Sequence, residues 1–218
     1  MKIGIVIFII VIGVLGIITY STFKPDAIEL QGVEVQDYQG ERLDSVNDFR
    51  ENSIKGPQYI DIEDYDLEIF GLVDNTKVLS YDDVLDKQAY EKVVQLNCVE
   101  GWSAKILWKG VLVRDVLDEV NISDYANTII FYAYDGYSTA FPLDYFYNND
   151  IILAYEMNGV TLPAERGFPF QLVAEDRWGY KWIKWITDIE ISSNESYEGF
   201  WESRGYSNTG NLNESFFK

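Results

Sequence analysis

The stretch Val93 to Ser103, VVQLNCVEGWS, constrains this chain more than any other. Val94, Leu96 and Cys98 alternate with Gln95 and Asn97, the period-two pattern of a strand that buries one face. Gly101 breaks the strand just past the only cysteine in 218 residues, so the sulfur stands at a strand end, where a fold can present it to a pocket. Taken alone, a single cysteine is a small buried hydrophobe. It also excludes an intramolecular disulfide and leaves the redox compartment undecided.

Three parts of the chain differ in character. Ile3 to Ile18 is an almost unbroken apolar run. At 1.5 Å per residue, roughly 18 such residues just cross a hydrocarbon core of about 30 Å. Residues 1–22 therefore read as a membrane anchor in preference to a cleaved signal peptide, because no small-x-small cleavage pattern follows. Residues 23–52 are polar and acidic without sustained periodicity and read as a spacer. Residues 53–218 carry the structured pattern, and their number suits one domain.

Charge narrows the partners. Thirty-six acidic against 17 basic residues give a net charge of −19. Binding to nucleic acid or to anionic headgroups needs a basic face, so both are excluded as main functions. The same charge disfavours small anionic substrates and favours neutral ones. Three N-x-S triplets, at Asn121, Asn194 and Asn213, are compatible with an extracytoplasmic domain.

Local signals predict an α+β fold on a mixed sheet. Tyr65 to Ile69 alternates as a strand, and Ser80 with Asp83 forms a capping box opening a short helix. Leu112, Val116, Leu117 and Val120 recur at helical spacing. Ile129 to Tyr134 is β-rich, and Pro142 stands where another helix begins. Asn158-Gly159 is the strongest hairpin signal in the chain. Gln171 to Ala174 and Trp185 to Ile191 read as strands flanking the turn from Asp176 to Lys184. Strands and helices intermix without a βαβ rhythm.

Several ordered motifs together resemble the sulfite oxidase-like family of molybdopterin-dependent oxidoreductases. They are Cys98-Val99-Glu100-Gly101-Trp102-Ser103, Trp108-Lys109-Gly110-Val111, Leu153 to Gly159, Arg166-Gly167-Phe168-Pro169, Trp178-Gly179-Tyr180-Lys181-Trp182-Ile183-Lys184-Trp185, and Gly199 to Ser207. The resemblance runs from about Ser53 to Asn208. It implies a mixed-sheet molybdopterin-binding fold, a pterin cofactor carrying molybdenum or tungsten, and Cys98 as the metal's protein ligand. A soft thiolate suits a high-valent transition metal.

The resemblance also implies roles for other residues. Glu100 stands near the metal as a proton relay or holds the turn. Lys55 and Gln58 lie where an N-terminal arm covers the cofactor, Gly179, Lys181 and Lys184 where its phosphate is gripped, and Asp135 and Tyr137 at the pocket mouth. Two departures stand out: the chain has Arg166 where much of the family has histidine, and Gln171 where it commonly has arginine. The resulting expectation is oxygen-atom transfer on a sulfoxide or another neutral oxo substrate, or on sulfite. The sequence shows no haem motif and no second cysteine for an iron–sulfur cluster, so electrons pass through a separate subunit. The alternative is a cofactor-free binding or scaffold module that keeps the fold.

Overall fold

The computed structural model describes residues 33–218. The apolar run read as a membrane anchor lies outside them, and among the described residues no helix is long and apolar enough to cross a membrane. A small antiparallel hairpin comes first, β1 (Asp37–Tyr38) with β2 (Glu41–Arg42). β3 (Asp66–Gly71) turns Leu67 and Ile69 inward, as its alternation requires, and pairs antiparallel with β4 (Lys77–Ser80). Ser80 caps α1 (Tyr81–Leu85). Its hydroxyl accepts from the Asp83 amide while the Asp83 carboxylate accepts from the Ser80 amide, the reciprocal box the sequence predicts.

β5 (Ala89–Asn97) buries Val94 and Leu96 and exposes Gln95. Its end is a tight turn: the Gly101 amide donates to the Cys98 carbonyl at 3.0 Å and the Cys98 amide to the Trp102 carbonyl at 2.9 Å. Gly101 adopts a φ of 87°, which a side chain would strain. The chain then returns antiparallel as β6 (Ser103–Leu112), pairing Asn97 with Ser103.

α2 (Val113–Leu117) is only five residues, shorter than the 112–120 periodicity suggests. Beyond it the chain is drawn into a bridge between Ile122 and Val73, so tertiary pairing ends the helix. β7 (Thr128–Ala133) and β8 (Ser138–Pro142) form a hairpin, and α3 (Leu143–Asn148) starts after Pro142 as predicted. β9 (Ile152–Met157) and β10 (Val160–Thr161) are joined through Asn158 and Gly159 at φ 48° and 77°. Both central residues are left-handed, as a type I′ turn demands. β11 (Gln171–Val173) and β12 (Ile186–Ser192) complete the set.

The strands make two five-stranded sheets. One runs β10-β9-β6-β5 with β11 also on β9; the other runs β4-β3-β12-β7-β8. β12 is parallel to β3 and antiparallel to β7, so the second sheet is mixed, as expected. With helices of five or six residues, sheets dominate the architecture. One apolar cluster joins both sheets, with Leu67, Ile69, Trp108 and Phe131 fully buried within it. Each such side chain contributes about 1.5–3 kcal/mol by leaving water.

Residues 33–52, part of the stretch read as a solvated spacer, pack onto this core. Leu43 and Val46 are buried, and the Glu34 carboxylate accepts from the Val46 amide, the Ser45 hydroxyl and the Asn158 side chain. Their contacts lie far away in sequence, where a search for local periodicity does not look.

Candidate active site

A cavity of about 470 Å³ opens beside Cys98. That volume lies in the range of small-molecule and cofactor sites. Six elements wall it: the arm from Phe49 to Ile54, the Cys98 turn, the β7–β8 turn, the segments at 165–166 and 179–185, and a tail that adds Trp201 and Tyr206.

The strand pattern puts Cys98 on the wall. Its sulfur receives the Asn52 side-chain amide at 3.6 Å and the Glu100 backbone amide at 3.5 Å. Burial pushes the thiol above its ordinary value, and these donors pull the other way. A buried thiol of this kind ionises when a metal cation takes the place of its proton. Glu100 also lines the cavity, with its carboxylate 3.7 Å from Arg50 Nη1 and accepting from Trp102 Nε1 at 3.3 Å. It therefore braces the turn through Trp102 and stands at the rim beside Arg50.

Arg166, Gly179 and Lys184 line the cavity, and so do Asp135, Tyr137 and Gln171. Asp135 accepts from the Tyr137 amide at 2.9 Å and so closes the β7–β8 turn. Gly179 packs close to the Cys98 turn: a Cβ there would stand 3.2 Å from the Asn97 carbonyl oxygen. Lys184 pairs with Glu51 at 2.6 Å, and burial lowers its pKa.

Three predicted residues lie elsewhere. Lys181 is buried away from the cavity, donating to Glu202 at 2.8 Å and to the carbonyls of Ala140 and Asn208 at 2.7 and 3.0 Å. An ammonium with three acceptors has no donor left for a phosphate. Gln58 turns back onto the Gly56 carbonyl at 2.7 Å, and Lys55 places its ammonium by Gly136. Neither lines the cavity.

Asn52 and Ser53 are the site residues that sequence reasoning missed. They sit in a polar loop 46 residues from Cys98, with no local signal beyond lying where the resemblance begins. The Ser53 hydroxyl is buried on the cavity wall without a hydrogen-bond partner. Such an orphan is costly unless a ligand satisfies it. Among the described residues no group of three or more His, Cys, Asp or Glu is placed to hold a metal ion. A metal at Cys98 therefore depends on a cofactor for its other ligands. The thiol, the orphaned hydroxyl and the cavity volume fit such a group.

Comparison with known proteins agrees with this geometry. Residues 54–201 match the oxidoreductase molybdopterin binding domain. The chain belongs to the sulfite oxidase-like family of molybdopterin-dependent oxidoreductases. It is 36% identical over 151 residues to the uncharacterized oxidoreductase YuiH of Bacillus subtilis, covering 69% of this chain and 76% of that one. It is 30% identical to the protein-methionine-sulfoxide reductase catalytic subunit MsrP of Gluconobacter oxydans, over 59% of this chain and 47% of that one. With the sulfite oxidase of Arabidopsis thaliana it shares 26% identity, over 66% of this chain and 46% of the relative. The chain thus spans about half the length of these two relatives. The sulfane dehydrogenase SoxCD of Paracoccus pantotrophus has the same fold, with a TM-score of 0.61 at 22% identity over 63% of this chain and 40% of its own.

Proposed function

We propose that this chain is a membrane-anchored, extracytoplasmic oxygen-atom transferase whose molybdenum is ligated by Cys98, acting on a sulfoxide or another neutral oxo substrate. The observation that carries this reading is the Cys98 sulfur on the wall of a 470 Å³ cavity beside the unsatisfied Ser53 hydroxyl. When bound, the cofactor supplies the two-electron redox change that accompanies oxygen-atom transfer. The protein's part is to hold and to select.

Cys98 offers the thiolate, and the Asn52 and Glu100 amides orient it. Ser53 and the aromatic walls of Trp182, Trp185 and Tyr137 hold the organic part and exclude water. Glu100, half exposed at the rim, carries protons at its carboxylate between solvent and the cavity. Lys184 and Arg50 are paired with Glu51 and Glu100, and Arg166 gives its donors to backbone carbonyls. Each of the three is already engaged with a carboxylate or with carbonyls, which supports a neutral substrate over sulfite.

One cysteine leaves no ligand set for an iron–sulfur cluster, so electrons come from a separate subunit. The relative named a catalytic subunit supports that arrangement. The rival reading, a cofactor-free scaffold, draws on the absence of histidine, on Gln171 and on the burial of Lys181 away from the cavity. Metal analysis of protein from a host that makes the cofactor decides between them. Stoichiometric molybdenum lost in Cys98→Ser supports the enzyme; no molybdenum or tungsten in either protein supports the scaffold.

A further inference from the structure

We propose that Arg166 is a positioning residue for Cys98, acting through the arm that carries Asn52 and Ser53. Side chains hold the arm: Glu51 pairs with Lys184 and Arg50 lies near Glu100, but its backbone has few partners. Among the described residues, no backbone-to-backbone hydrogen bond involves residues 49–54. Arg166 supplies the missing partners: Nε donates to the Val46 carbonyl at 2.8 Å, Nη2 to Phe49 at 2.7 Å and Nη1 to Arg50 at 3.2 Å. A planar fork with donors on three nitrogens suits three carbonyls of one bend; a point-like ammonium does not.

The same guanidinium lies 3.9 Å over the Phe49 ring, whose far neighbour is Trp102 at 5.6 Å between ring centroids. Trp102 closes the Cys98 turn through the Cys98 amide. Arg166, Phe49 and Trp102 thus tie the arm to the turn that bears the sulfur. Two residues past the last clamped carbonyl, the Asn52 amide meets that sulfur, and Ser53 follows on the cavity wall. Gly167, at φ 103°, ends the turn that holds Arg166, and a Cβ there would stand 3.0 Å from Lys184 Cβ and 3.1 Å from Gln171 Cβ, so the turn packs closely against both residues. The two departures from the family pattern, Arg166 and Gln171, both line the cavity.

The inference extends the reading of Cys98 as a ligand and rests on that cysteine lining the cavity. Its test reads the thiol in the full chain prepared without cofactor, so it fails separately from the metal analysis. Cys98 is the only cysteine, and iodoacetamide labelling therefore reports one site. At a temperature where circular dichroism matches the native protein, Arg166→Gln and Arg166→Lys each label about tenfold faster or more, because the arm now opens locally. Lysine does not restore the slow rate although it keeps the charge. Asn52→Ala, which removes one exposed side chain, labels at a rate about threefold away from the native one through loss of a single hydrogen bond to the sulfur.

Native-like rates in the Arg166 variants, or rescue by lysine, overturn the proposal. Fast labelling in the Arg166 variants with a native rate in Asn52→Ala also overturns it, because the arm then shields the thiol without positioning it. If the Arg166 variants do not fold, Asn52→Ala and Phe49→Ala decide: a native rate in either overturns it, a changed rate in both supports it.

Discussion

Lys181 Nζ lies 2.8 Å from Glu202 Oε1 with both side chains 1% exposed. The pair joins the turn after β11 to the tail that walls the cavity, and Thr139 Oγ1 adds a second donor to the same carboxylate oxygen at 2.6 Å.

Breaking that pair from one side strands a charge. Lys181→Met leaves a buried carboxylate and is expected to cost about 3–5 kcal/mol, and the double change Lys181→Met with Glu202→Leu recovers part of it. Urea denaturation reads both. Because Lys181 does not face the cavity, the folded fraction of the single variant should match the native protein in any metal found by elemental analysis.

Gly110 sits at the β-bulge where β6 meets β9, and a Cβ there would lie 2.0 Å from the Leu153 carbonyl oxygen and 2.7 Å from Ala154 Cα. Backbone cannot yield as a side chain can. Gly110→Ala is expected to lose about 2–4 kcal/mol by forcing the two strands apart, visible as a lowered thermal midpoint.

Asn158 does more than turn the hairpin. Its side chain accepts from the Leu107 amide at 2.9 Å and donates to Glu34 and to the Asp44 carbonyl at 2.7 and 2.8 Å. Asn158→Gly keeps the left-handed turn but drops all three bonds. It should release residues 33–46 at a cost of about 1–3 kcal/mol, with faster hydrogen exchange there and little change in β9 and β10.

Alkaline pH should unfold the protein through its tyrosines. Burial holds Tyr65 and Tyr137 well above the ordinary value of 10.0 and raises Tyr81 to about 12. The unfolded chain therefore loses these protons first, so the stability they support is complete below pH 10 and falls as pH rises through 10 to 12. Burial lowers Lys184, which acts with the opposite sign: its penalty is relieved as pH approaches 10.5. The thermal midpoint should hold up to pH 10 and then decline, with a step in tyrosinate absorbance from the buried tyrosines accompanying unfolding.

Signals written within a few residues were legible in the sequence: the Cys98 strand, the Ser80 capping box and the Asn158-Gly159 turn all form as read. The destinations of Lys181 and Lys184 were not. They are three apart, but Trp182 leaves the helical region at ψ 74° and Trp185 turns to φ 54°, and the two ammonium groups part company. Each is then decided by a remote carboxylate, Glu202 for one and Glu51, 133 residues back, for the other. Asn52 was silent for the same reason: a polar loop residue gains meaning only from the sulfur that folding brings to it.

β12 is the middle strand of its sheet, yet it is made long after its neighbour β3, with residues 72–185 between them. At a synthesis speed of roughly 5–20 residues per second, the ribosome leaves that central slot empty for on the order of ten seconds. During the wait the β3–β4 and β7–β8 ribbons each keep an open edge. A nascent chain of this design must be shielded from edge-to-edge association until its last long strand arrives, and no cofactor can find a finished pocket before then.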